Sequence, residues 1–144
     1  MAITSAVCNS FKQEILEAEH NFTASSGNTF NLALYDSDAT LNKSTTVYTT
    51  SEELAASGGY TAKGNALTSV TPVLDSDTAV CDFSNTSWTS ASFTANGCVI
   101  FNDTATGDPA CCAIAFGGDK TVSSGTFTIQ FPTADSSDAI IRIA

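Results

Sequence analysis

The stretch Pro109–Lys120 reads PACCAIAFGGDK. In an extended chain side chains alternate, so Cys111, Ala113 and Ala115 share one face while Cys112, Ile114 and Phe116 share the other. Both faces are apolar, which marks a strand covered on both sides. The neighbouring cysteines therefore point apart and cannot easily hold one metal ion. The Gly-Gly-Asp that follows, within AFGGDKT at 115–121, predicts a hairpin turn; it lacks P-loop spacing.

The same period of two runs outward from this stretch. In NTFNLALYDS, residues 28–37, Phe30, Leu32 and Leu34 alternate with Asn31, Ala33 and Tyr35, as in a half-buried strand. Further strand-like runs cover 45–50, 60–74, 78–83, 86–95, 98–102, 121–131 and 139–143. Turn residues separate them: DSD at 36–38 and 75–77, SGG at 57–59, NG at 96–97 and GGD at 117–119. SEELAAS at 51–57 reads as a short helical turn. The expectation is an all-β fold, an antiparallel β-sandwich of jelly-roll or immunoglobulin-like topology, forming a single domain over residues 1–144.

One N-terminal α-helix is expected at about residues 5–20, ahead of strands spanning about 28–143. Cys8, Phe11, Ile15 and Phe22 follow a spacing of three to four, Ala18 lies nearby, and Thr4 or Ser5 can cap the first turn. So narrow a stripe predicts docking on a sheet or on a neighbouring subunit.

The 144 residues carry a net charge of −10, with only Lys12, Lys43, Lys63, Lys120 and Arg142 positive. These cations are scattered, so the electrostatic footprint of a nucleic-acid binder is missing and an anionic membrane surface would repel the chain. Charged residues are 14% of the chain against a usual share of about 25%; Ser and Thr supply the remaining polarity. The first residues show no basic start followed by an apolar run, which predicts folding in a cytosol without a secretory signal. In that setting the sequons at Asn21, Asn42, Asn85 and Asn102 reflect composition alone.

Candidate chemistry is sparse. Cys8, Cys81, Cys98, Cys111 and Cys112 include no C-x-x-C and no zinc spacing, and read as small buried hydrophobes. His20 is the single histidine and reads as structural. The pairs Asp36/Asp38 and Asp75/Asp77 read as turn residues, since Asp bonds its own backbone there and neither pair has calcium-loop spacing. Phe30, Phe83, Trp88, Phe93, Phe101, Phe116, Phe127 and Phe131 read as core. No catalytic residue, cofactor site or metal site is expected, and the chain is expected not to be an enzyme.

Three blocks carry a resemblance: MAITSAVCNSFKQEILEAEHNFT; SGGYTAKGNALTSVTP with DFSNTSWTSASFTANGCVIFN; and AFGGDKTVSSGTFTIQFPTADSSDAIIRIA. Together they resemble a family of small structural proteins of tailed bacteriophages, common in aquatic and cyanobacterial phages. The family usually has small or apolar residues where Cys98, Cys111 and Cys112 stand, which agrees with packing roles for them. The resemblance implies a virion component assembled in the bacterial host cytoplasm. The expected function is capsid decoration, a cement protein holding the lattice as a homo-oligomer. Expected partners are the major capsid protein or other virion proteins and the chain itself, as dimer or trimer, with no nucleic acid and no membrane. Alternatives are a tail, neck or baseplate protein, or a host-surface glycan-recognition module using Tyr35, Tyr48, Tyr60 and Trp88. The N-terminal helix is expected to serve as an attachment or oligomer contact.

Overall fold

A computed structural model describes residues 1–144. Its elements in chain order are β1 (Ala6–Val7), α1 (Asn9–Leu16), β2 (Phe30–Tyr35), β3 (Asn65–Ala66), β4 (Ser69–Asp75), β5 (Thr78–Phe83), β6 (Thr86–Asn102), β7 (Ala110–Ile129) and β8 (Ile141–Ile143). They form an antiparallel β-sandwich with one short helix. One sheet has the order β1-β7-β6-β2-β3 and the other β4-β5-β8.

The backbone of the fold is the β6–β7 hairpin. Phe101 pairs with Ala110 next to its loop, and Thr86 with Ile129 at its far end. The GGD segment is not a turn, as had been expected, but a bulge inside β7. Ala95 pairs with Lys120 and Gly97 with Ala115, so Phe116–Asp119 stand opposite Asn96 alone. Gly117 and Gly118 take φ of 75° and 135°, and Asn96 Nδ2 donates to Asp119 Oδ1 at 2.8 Å to clamp the bulge. Glycines that permit positive φ serve a bulge as readily as a reversal. For the same reason the expected runs 86–95 and 98–102 are one strand, and 110–116 continues directly into 121–129.

The strand expected at 45–50 is irregular, and within 60–74 only β3 and β4 are extended. Residues 51–57 form turns with one isolated bridge, Tyr35 to Glu53, rather than a helical turn. This irregular segment covers the face of β2 opposite the small sheet. Tyr35 Oη donates to Thr49 O at 2.7 Å, Leu54 N to Leu34 O at 3.0 Å, and Tyr48 stacks on Phe101. All six residues of β2 are consequently buried, where a half-buried strand had been expected. Gly64 allows the close approach: at φ 66° a Cβ there would meet Leu32 O at 1.8 Å.

On the inner face of β2, Phe30 stacks on Phe22 with centroids 4.2 Å apart, and Phe83 meets both edge-on or tilted. Fully burying each of these rings contributes roughly 1.5–3 kcal/mol. A single cluster of 26 buried residues joins the two sheets and the helix.

The helix is shorter than expected, Asn9–Leu16, and neither Thr4 nor Ser5 caps it. Cys8 stands at the N-cap and offers no side-chain bond. The preceding residues are drawn into the sheet: Ala6 pairs with Ala113, and Ser5 Oγ accepts from Ala115 N at 2.9 Å. Those bonds satisfy the backbone outside the helix, so the helix starts only where pairing stops. It ends in a Schellman turn, with Glu19 N donating to Glu14 O, Ala18 N to Ile15 O, and Ala18 in the left-handed region at φ 60°. Cys8 and Phe11 are buried, so the helix docks on the chain's own sheet.

Candidate functional site

The Schellman turn folds the chain back under α1 and brings His20 beneath Glu14. His20 Nε2 donates to Glu14 Oε2 at 2.8 Å. On the other side of the ring Asn102 Nδ2 donates to Nδ1 at 3.2 Å, and the Cys111 thiol lies 3.9 Å from the same nitrogen. Asn102 is oriented without ambiguity. Its Oδ1 accepts from Thr104 N and Ala105 N, and its amino group also reaches Asn28 Oδ1 and Glu19 O. The imidazole therefore carries its hydrogen on Nε2 and accepts on Nδ1.

Cysteine, histidine and carboxylate in this sequence are the parts of a nucleophilic triad. The geometry gives them a different task. Cys111 is fully buried, His20 is 7% exposed, and Phe11, Phe22 and Phe30 surround the ring. Burial pushes the Cys111 thiol well above its ordinary value, the reverse of nucleophile activation. None of the surface grooves is lined by Cys111, His20 or Glu14. The constellation ties helix, β6 and β7 together. Sequence reading named His20 and Cys111 separately but not their meeting, and no spacing motif links residues 14, 20, 102 and 111.

The other cysteines are also buried and free. Burial raises Cys8 to about 11 and Cys81 and Cys112 to about 12, with Glu14 adding to the rise at Cys8. Asp36 accepts from Asp38 N in the expected turn, and with Glu52 these two bring one carboxylate oxygen each within 4.8 Å of one another on the surface. Asp75 and Asp77 flank the β4–β5 turn at Ser76, where φ is 57°.

A second polar cluster anchors the irregular segment. Glu53 accepts from Tyr48, Tyr60 and Lys63 N, and Lys63 Nζ donates to Asp103 at 2.7 Å and Asp108 at 2.8 Å. Those two carboxylates raise the Lys63 ammonium above its ordinary value. The effect is to hold the β6–β7 loop.

Exposed apolar side chains concentrate on three elements. Of seven large hydrophobic residues left exposed, five lie on α1, β4 and β8: Leu16, Val70, Val73, Leu74 and Ile143. A groove of about 340 Å³ runs between α1 and β8, with Ile15, Leu16, Ile141 and Ile143 as walls and Lys12 and Arg142 at its rim. A second, of about 470 Å³, lies between β7 and Ile140. Apolar side chains left exposed on neighbouring elements, beside an edge strand, mark a candidate contact surface. The four aromatics considered for glycan stacking are placed otherwise: Tyr35, Tyr60 and Trp88 are buried, and the Tyr48 hydroxyl is bonded to Glu53.

Comparison of the chain with protein-family models, with curated proteins and with solved structures finds no match. No helix is long and apolar enough to cross a membrane.

Proposed function

We propose that this chain is a bacteriophage virion structural protein that decorates the capsid lattice as a homo-oligomer. The observation that carries the reading is the concentration of exposed apolar side chains on α1, β4 and β8. A lattice-binding protein acts by burying such surface across subunit joints. The three-block sequence resemblance to tailed-phage structural proteins supports the same reading. So does the buried setting of the Cys111–His20–Glu14 group, which holds the fold rather than facing a substrate.

The test is the copy number of the chain relative to the major capsid protein, by quantitative mass spectrometry of purified virions. A ratio near unity or a simple fraction of it supports decoration. A handful of copies per particle moves the protein to the tail, neck or baseplate. Absence from the particle overturns the virion reading.

A further inference from the structure

We infer that the chain forms a two-fold dimer in which the β4–β5 turn of each copy seats on the α1/β8 groove of the other. The inference rests on the assembly reading above for the existence of a self-contact, and adds the surface, the symmetry and the pairing.

The occupant follows from charge. The groove rim carries Lys12 and Arg142, two of the five basic residues in a chain of net charge −10. Neither has a carboxylate partner within the chain; Lys12 reaches only Asn9 Oδ1, and Arg142 bonds backbone carbonyls of Ser136 and Ser137. The β4–β5 turn is the complement. Leu74 is 75% exposed, and it leads directly into Asp75-Ser76-Asp77. Asp75 is engaged by Ser136 N, whereas the Asp77 carboxylate has no partner in the chain. Apolar walls under cations match an apolar side chain followed by a free acid.

The symmetry follows from where the two patches lie. Leu74 pairs with Ala79, and Ala79 with Ile143, so tip and groove stand in one row across the small sheet, about 10 Å apart at the usual strand spacing. Ile15 and Ile143 line both this groove and the shallow one beside Pro72 and Ala79, which makes the two patches continuous. Adjacent patches that complement each other rather than themselves are satisfied together when two copies face across a two-fold axis, each tip meeting the other's groove. The β4 edge carries Pro72 and an irregular register between Val70 and Val73, devices that discourage open-ended strand pairing. That favours a closed dimer over a growing sheet.

The experiment is a charge swap read by analytical ultracentrifugation of the full chain, with circular dichroism to show that each variant is folded. Wild type is expected to sediment at twice the chain mass. Lys12→Glu and Asp77→Lys, each alone, set like charges against each other and are expected to weaken the dimer at least about tenfold. The double variant Lys12→Glu/Asp77→Lys restores opposite charges across the contact and is expected to return to within about threefold of wild type. Leu74→Ser, which touches no charge, is expected to weaken the dimer as well. A wild-type monomer at every concentration overturns the inference. So does a double variant no better than the singles. An oligomer indifferent to all four variants also overturns it, while leaving the virion reading to stand or fall on copy number.

Discussion

Asn102 and His20, 82 positions apart in the chain, meet with the amide nitrogen of one 3.2 Å from Nδ1 of the other. Asn102 is fully buried and serves the Thr104 and Ala105 amides as well as the ring. Asn102→Ala is therefore expected to orphan buried groups on both sides and cost about 2–4 kcal/mol. His20→Phe keeps the ring packing and is expected to cost less, about 1–3 kcal/mol. Urea denaturation of the two variants gives the comparison. If His20→Phe proves the more damaging, the network is centred on the histidine instead. Native Cys111 is expected to react with a thiol reagent no faster than the protein unfolds.

The buried thiols make a pH prediction whose sign is fixed. Folding raises all five thiols, Cys8, Cys81, Cys98, Cys111 and Cys112, chiefly by burial. Unfolded thiols ionise near about 8.5, so above that pH the unfolded chain releases protons that the folded chain keeps. Stability is full below that value and falls as pH rises toward the folded values. Each thiol contributes about 1.4 kcal/mol per pH unit within its window. Replacing Cys111 by Ala and Cys112 by Val is expected to flatten the decline between about pH 8 and about pH 10.5, measured by urea midpoints. An unchanged slope would place the titration elsewhere.

Removing residues 1–20 is expected to unfold the protein rather than merely detach it from a partner. The deletion takes Cys8, Phe11 and His20 from the core and β1 from the edge of β7. The helix thus has a place in the core through Phe11, while its Lys12, Ile15 and Leu16 side lines the α1/β8 groove. Circular dichroism of the truncated chain decides it: retained sheet signal with a cooperative melt would return the helix to the periphery.

Ala18 holds the C′ position of the Schellman turn at φ 60°, where glycine is the favoured residue. Ala18→Gly is expected to raise stability by about 0.5–1 kcal/mol. A loss of stability would mean that the Ala18 methyl packs usefully.

Trp88 is 4% exposed and packs near Tyr60, Phe93 and Phe127. Its emission is expected to be blue-shifted and insensitive to acrylamide. Red-shifted, quenchable emission would restore the aromatic platform for glycans.

Strand existence was legible in the sequence wherever alternation was unbroken. Thr78–Phe83 matches its expected limits, and the cysteine pair lies in a doubly covered strand as its two apolar faces implied. What failed to show were features set by partners distant in sequence. Gly117-Gly118 could mark a reversal or a bulge, and only the return of β6 opposite decides which. Ser5 could cap a helix or accept from Ala115, 110 positions away. The segment covering β2 has no periodicity because it is held by side chains, Tyr35, Tyr60, Glu53 and Lys63, rather than by a ladder. The meeting of Glu14, His20, Asn102 and Cys111 depends on a left-handed alanine that propensity disfavours.

The pairing of Ala6 with Ala113 has a consequence for synthesis. A ribosome adding about 5–20 residues per second needs roughly 5–20 s to travel from one partner to the other. Through that interval Val7, Cys8 and Phe11 have no sheet to cover them, and β8, the last strand, is later still. The nascent chain thus keeps this apolar segment open to its surroundings until β7 has been made, and its close neighbours on a polysome are other nascent copies of itself.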